Sequence, residues 1–350
     1  VLRGSLGAAT SWMEEAWDSP DLTTVFALFA RNPQLTDDFD NGWARLSSWI
    51  ARILHARRWN SRLGSQRNIA DHYDLGNELF SLFLDSGLNY SSAVFNSCDD
   101  SLEQAAQNKL ERVCTKLALR PGMHILEIGC GWGRFAKYAV ENHGVSVHGV
   151  TISKEQVSYA KKSCEGLDVS FELKDYRELN KKYDCIVSIG MFEHVGYKNY
   201  RNYMEVVNRC LKDDGLFLLH TIGRNNPGRA TDPWINKYIF PNGMTPSSSQ
   251  ICESIEGLFV IEDWHNFGQD YDATLMAWHA NFQKNFDLLT DTYDERFKRM
   301  WEYYLLMCAA AFRSRKNHLW QFVVSKKGLK GGYNYKNNSR FSDQKDPLSL

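Results

Sequence analysis

The run His124-Ile-Leu-Glu-Ile-Gly-Cys-Gly-Trp-Gly-Arg-Phe-Ala-Lys137 constrains the fold of this chain more than any other stretch. Its apolar residues, Ile125, Leu126 and Ile128, suit a buried strand that carries an acid at Glu127 and runs directly into Gly129, Gly131 and Gly133. The amphipathic segment from Phe135 to Val140 then begins a helix. Glycines at such a strand-to-helix turn let the backbone approach a ligand without a Cβ in the way, and they bring ligand groups to a helix N-terminus. A dinucleotide site calls for G-x-G-x-x-G with an acid about 20 residues further on. Here the spacing is G-x-G-x-G and the acid precedes the glycines. That order favours S-adenosylmethionine, with Glu127 near the cationic amino-acid end of the cofactor.

The rest of the chain supports an α/β reading. After Pro121, strands are expected at 124–129, 145–150, 168–173, 184–189 and 214–221, with helices at 133–142, 154–163 and 198–211 between them. Strands separated by helices of this length imply parallel crossovers and a doubly wound sheet. A polar insertion, 224–249, is followed by a strand at 258–265, helices at 274–288 and 291–312, and a final strand at 319–325. The tail after Lys326, rich in Gly, Asn and Ser, reads as loose. Upstream, residues 1–62 show helical periodicity over 11–17, 22–30 and 42–56. A linker follows at 63–66, and then a second helical region, 67–118.

Charge and cysteine usage narrow the setting. Lys and Arg number 41 against 42 Asp and Glu, so bulk charge announces neither a nucleic-acid nor a membrane partner. Basic residues do cluster beside aromatic ones, at 55–62, 296–299 and 313–316; such clusters are usually solvated faces but also suit an anionic membrane surface. The eight cysteines form no C-x-x-C pair, which points to a reducing compartment with neither a disulfide framework nor a metal site. No stretch reaches the roughly 18 apolar residues of a membrane span, and no signal peptide is visible.

Open α/β sheets bind ligands beyond the carboxyl ends of their strands. Thr151, Ser153 and Gln156 follow the second strand and suit ribose hydroxyls, while Asp175 and Tyr176 follow the third and suit the adenine amino group and ring face. The fourth and fifth strands end in Gly190-Met-Phe-Glu-His194 and Leu219-His-Thr-Ile-Gly223. Glu193 and His220 are thereby expected in one crevice, as a polar cluster that handles a proton.

Over essentially its whole length the chain resembles the cyclopropane-fatty-acyl-phospholipid synthases. The resemblance is carried by His72-Tyr-Asp-Leu-Gly-Asn77, Leu126 to Gly133, Gly149-Val-Thr-Ile-Ser153 and Gly190-Met-Phe-Glu-His-Val-Gly196. It continues through Leu218 to Gly223, Asp232-Pro-Trp-Ile-Asn-Lys-Tyr-Ile-Phe-Pro241, Glu262-Asp-Trp-His-Asn-Phe-Gly268 with Tyr271, and Glu295 to Met300. It implies a seven-stranded class I methyltransferase-like sheet at 67–350, with a helical lid over 67–118 and a small N-terminal helical domain at 1–62, shortened at its start. The implied reaction is attack of a cis acyl double bond of a membrane phospholipid on the methyl group of S-adenosylmethionine. The resulting carbocation loses a proton to a bound bicarbonate and closes to a cyclopropane. The implied bicarbonate ligands are the side chains of Glu193, His220 and Tyr271, with backbone contacts near Ser92 and Ile222. The implied cofactor contacts are Tyr90, Ser91, Gly129, Gly131, Thr151, Gln156 and Tyr176; His72 and Tyr73 also face the cofactor on this basis. Glu127 joins them from the motif alone. Ser92 departs from the family, which usually has Cys there. A cytoplasmic enzyme, peripheral to the inner face of the membrane and homodimeric, is expected. Rival readings are a relative that forms methyl-branched or methylene fatty acids or methylates a small amine, and an inactive lipid-surface binding protein.

Overall fold

The computed structural model describes residues 4–32, 76–228 and 231–334. Its strands are β1 (His124–Ile128), β2 (Ser146–Thr151), β3 (Val169–Leu173), β4 (Tyr183–Ile189), β5 (Leu211–Arg224), β6 (Val260–Asn266) and β7 (Asn317–Ser325). They form one sheet in the order β3-β2-β1-β4-β5-β7-β6. The helices are α1 (Gly4–Met13), α2 (Leu22–Arg31), α3 (Asn77–Phe83), α4 (Leu102–Lys116), α5 (Arg134–His143) and α6 (Lys154–Ser163). After them come α7 (Tyr200–Cys210), α8 (Pro233–Tyr238), α9 (Ser248–Ile255), α10 (Gly268–Asn285) and α11 (Glu295–Arg313).

The first five strands pair in parallel, as the alternation of strand and helix requires. The last strand breaks that rule. β7 inserts between β5 and β6 and is antiparallel to both, so that His220 lies opposite Gln321. The expected doubly wound, seven-stranded sheet is therefore present, with each strand within three residues of its expected bounds. α10 starts earlier than expected, at Gly268 rather than at 274. Gly268 packs on β7 so closely that a Cβ there would lie 3.2 Å from the Leu319 nitrogen, and this lets the helix begin against the sheet. The first helix also differs: it ends at Met13, and Trp17 lies beyond it with its indole N–H on the Ala8 carbonyl at 3.0 Å.

One face of the sheet is covered by α4, α5 and α6, whose Leu110, Val113, Phe135 and Ala160 pack on Ile125, Val147 and Phe171. α7 and α9 cover the other face through Tyr203, Val207 and Ile251. A third cluster, rich in aromatics, joins α1, α2, α3, α10 and α11 around Trp12, Phe80, Phe83, Trp278 and Trp301. The N-terminal helices thus share a core with the catalytic part: the Arg299 guanidinium lies 4.0 Å from the Trp12 ring centroid, and its Nε donates to the Trp12 carbonyl at 2.6 Å. Of the region read as a lid, α4 is a layer of the sheet and residues 84–101 are neither helix nor strand. The helix expected at 42–56, the linker at 63–66, and His72 and Tyr73 lie outside the described residues.

Candidate active site

The glycine turn lies at the carboxyl edge of β1. Gly129, Gly131 and Gly133 all have left-handed backbone, with φ of 85°, 52° and 84°. At Gly129 the absent Cβ matters sterically as well, since it would lie 2.7 Å from Met191 Cβ. The Gly129 and Cys130 amides both donate to the Val150 carbonyl, at 2.8 and 3.1 Å, which ties the turn to the end of β2. Beside it a recess of about 50 Å³ is lined by Gly129, Thr151, Tyr176, Met191 and His194, among others. Burial pulls the His194 imidazole down to about 4, so the ring is neutral at physiological pH. A roomier recess of about 340 Å³, between Thr292 and Met300, shares no residue with this site.

The expected cofactor residues gather here. The Thr151 hydroxyl donates to Gln156 Oε1 at 2.9 Å, and Ser153 caps α6 by accepting from the Gln156 amide at 3.3 Å, so the second strand end is one knit group. Tyr176 is buried edge-on against Tyr203, with ring centroids 5.0 Å apart. Asp175 lines the same recess, and its carboxylate is also held by the Arg177 guanidinium at 2.8 and 2.7 Å and by the Arg177 amide at 3.0 Å, an ion pair that fixes its orientation. Glu127 is buried, which pushes its carboxyl well above the usual range, and the nearby Lys109 charge opposes that shift.

Glu193 and His220 stand at the tips of neighbouring strands, since Ile189 pairs with His220. Glu193 Oε1 accepts from the Ile222 amide at 2.6 Å, while Oε2 is buried without a partner. Burial pushes this carboxyl up to about 7. The Ile222 N–H that the resemblance assigns to an anion is thus taken by Glu193. His220 is also buried, and burial, reinforced by the charges of Lys109, Lys116 and Arg112, pulls it down to about 3. Its ring is therefore neutral. Gln321 Nε2 stands 3.3 Å from His220 Nδ1. With the amide N–H turned to the ring, Nδ1 accepts and the proton sits on Nε2, the ring atom without a partner. Gln321 Oε1 is likewise buried without a partner, and the flipped amide would reverse the tautomer. The Glu193 carboxyl and the His220 ring do not hydrogen-bond to each other; each presents one open atom.

Residues 90–92 lie beside the site. Ser91 reaches the tip of β4, its Cβ 3.9 Å from where a Gly190 Cβ would stand. Ser92 is fully buried and turns its hydroxyl onto the Ala93 carbonyl at 2.9 Å. The Ala93 amide donates to Thr274 Oγ1 on α10 at 3.0 Å, one turn beyond Tyr271. Tyr271 stacks on Phe312 with centroids 4.6 Å apart, and it meets Trp278 edge-on. The Tyr90 hydroxyl lies 2.9 Å from that of Tyr304, and its ring packs against Phe80, Phe83 and Trp278. These rings form an aromatic wall that excludes water and offers π faces to a cation.

Three residues of this site are not evident from motifs: Lys109, Gln321 and Thr274. Lys109 did leave a trace. In α4 the positions Ala105, Lys109 and Val113 share one buried face at i, i+4 spacing, so a lysine interrupts an apolar stripe.

Residues 61–322 match the mycolic acid cyclopropane synthetase family. The chain belongs to that family. Cyclopropane-fatty-acyl-phospholipid synthase of Escherichia coli strain K12 is 50% identical over 334 residues, covering 94% of this chain and 85% of that protein. Tuberculostearic acid methyltransferase UfaA1 of Mycobacterium tuberculosis is 33% identical over 348 residues, covering 93% and 80%. Among solved structures, mycolic acid cyclopropane synthase CmaA1 complexed with SAH and CTAB superposes with a TM-score of 0.70 at 32% identity, covering 75% of this chain and 98% of that one. This cyclopropane synthetase family member is a homologue of cyclopropane fatty acid synthase and an S-adenosylmethionine-dependent methyltransferase, which sets the reaction class as methylene transfer to a lipid.

Proposed function

We propose that the enzyme forms cyclopropane rings on unsaturated acyl chains of membrane phospholipids, working peripherally at the cytoplasmic face of the membrane as a homodimer. Carrying this is a buried carboxyl and a buried neutral imidazole on neighbouring strand tips, each with one open atom, beside an aromatic wall. S-adenosylmethionine supplies an electrophilic methyl group, and the left-handed glycines with Thr151, Gln156 and Tyr176 suit its nucleoside, while Tyr90, Ser91 and Glu127 suit its amino-acid end. The alkene is a weak nucleophile, so much of the rate must come from holding it against that methyl. Tyr90, Trp278 and Tyr271 supply apolar packing that keeps water from the cationic carbon.

A proton must then leave that carbon. The open Glu193 Oε2 and His220 Nε2 fit a small oxyanion, and bicarbonate held by Glu193, His220 and Tyr271, with the backbone near Ser92, would supply the base there, the Ile222 amide acting through the Glu193 carboxyl that it holds. Glu193 suits this role when protonated, because an ionised carboxylate repels an anion. Of the basic clusters expected to meet lipid, the one at 55–62 lies outside the described residues. Arg299 and Arg313 are engaged internally, Arg313 with Asp272 at 2.9 and 3.0 Å, while Arg296 and Lys316 are exposed.

The test is turnover on vesicles of unsaturated phospholipid with S-adenosylmethionine, with and without bicarbonate, read by proton NMR. Upfield ring-methylene signals that grow faster with bicarbonate are expected. A product with a new methyl or exocyclic methylene and no ring signals would establish the branched-product reading instead, and no product from folded, cofactor-binding protein in any vesicle would point to a different acceptor or an inactive protein.

A further inference from the structure

Lys109 lies inside the molecule, 2% exposed, on the sheet-facing side of α4. Its ammonium donates to Asn89 Oδ1 at 2.9 Å and to Ser91 Oγ at 3.2 Å. Asn89 is held in turn by Asp85, which accepts from the Asn89 amide at 2.9 Å and from its Nδ2 at 2.7 Å. That pairing fixes which end of the Asn89 side chain faces Lys109. Asp85 and Glu127 both bear electrostatically on the lysine, but no hydrogen bond reaches it from either. A buried lysine with no direct ion pair is expensive to keep.

The donors left over point to a ligand. An ammonium has three N–H groups and cannot accept. Among the described residues two of the three are used. Because Ser91 Oγ accepts from Lys109, its own proton is directed elsewhere, and it has no acceptor among the described residues. One N–H on the ammonium and one O–H therefore remain, the O–H on a residue whose Cβ lies 3.9 Å from where a Gly190 Cβ would stand at the tip of β4. Glu127, at the tip of β1, has Oε2 buried and open. A cation with spare donors and an acid with a spare acceptor in one site match an amino-acid zwitterion.

We propose that Lys109 is the positioning residue of a carboxylate subsite: it holds the Ser91 hydroxyl as a donor toward the α-carboxylate of the cofactor's amino-acid end, while Glu127 faces the ammonium. The inference rests on the S-adenosylmethionine site described above. The chemistry, a carboxylate-type anion, is shared with bicarbonate; the neighbourhood of Gly190 and Glu127 selects the cofactor.

The test compares S-adenosylhomocysteine with S-adenosyl-3-thiopropylamine, which lacks only the carboxylate, by calorimetric titration of the full chain. Binding of S-adenosylhomocysteine by the unaltered protein checks the cofactor site itself, and the ratio between the two ligands checks Lys109. Lys109→Met is expected to weaken S-adenosylhomocysteine binding about 10- to 100-fold, the size of a charged hydrogen bond, and to change binding of the amine less than about twofold. Should that variant fail to fold, Ser91→Ala carries the same comparison, with the same loss of preference expected. Equal weakening of both ligands, or an unaltered protein that does not prefer the carboxylate, overturns the proposal. So does a Lys109→Met enzyme whose bicarbonate requirement shifts while the ligand ratio stays unchanged.

Discussion

Replacing Glu193 by Gln isolates the cost of a buried acid. In the fold this carboxyl titrates near 7, because burial disfavours its charged form, against 4.5 for the ordinary group. The gap corresponds to about 3 kcal/mol. Its sign follows from proton uptake: between pH 4.5 and 7 the folded state binds the extra proton. Stability from this group is therefore complete below the unfolded value, falls as pH rises through that window, and stays low above it. Glutamine keeps an oxygen for the Ile222 amide and cannot ionise. Urea unfolding of both proteins at pH 5, 6, 7 and 8 should show the variant gaining on the parent as pH rises, by up to about 3 kcal/mol at pH 8. Turnover should be lost at every pH while S-adenosylhomocysteine still binds. Stability curves that run parallel from pH 5 to 8 would refute the claim that burial raises the Glu193 carboxyl to about 7.

Two further substitutions probe the geometry. Gln321→Glu offers His220 Nδ1 an acceptor in place of the N–H donor at 3.3 Å and should move the ring proton to Nδ1. Nitrogen-15 NMR of the labelled imidazole reads the tautomer directly, and kcat should fall about 10-fold or more with the KM for S-adenosylmethionine unchanged; an unmoved tautomer would count against the assignment. Gly129→Ala forces a Cβ onto a backbone with φ of 85° and to within 2.7 Å of Met191. It should cost about 1–3 kcal/mol in thermal or urea unfolding and weaken S-adenosylhomocysteine binding more than it lowers stability, whereas an unchanged unfolding midpoint would mean that the turn relaxes freely.

The sheet was legible because its strands are short apolar runs punctuated by turns, and because residues 129–133 can make few other shapes. Tyr176, Glu193 and His220 were legible because ligand residues of such sheets fall at strand ends. What sequence could not reveal depends on partners far along the chain. Gln321 matters only because β7 runs backwards beside β5, a pairing that local pattern does not encode. Asp175 reads as an open acid until Arg177, two residues on, folds back over it. Lys109 reads as a solvated lysine unless the apolar stripe it interrupts is followed around the helix.

The backward insertion of β7 also sets the order in which the molecule can be finished. Until residues 317–325 leave the ribosome, β5 and β6 have no strand between them, and each presents an open edge able to pair with another chain. His220 likewise gains its Gln321 partner only when β7 pairs with β5. The middle of that sheet edge is thereby closed last, and the open edges make the interval before it the stage most open to aggregation.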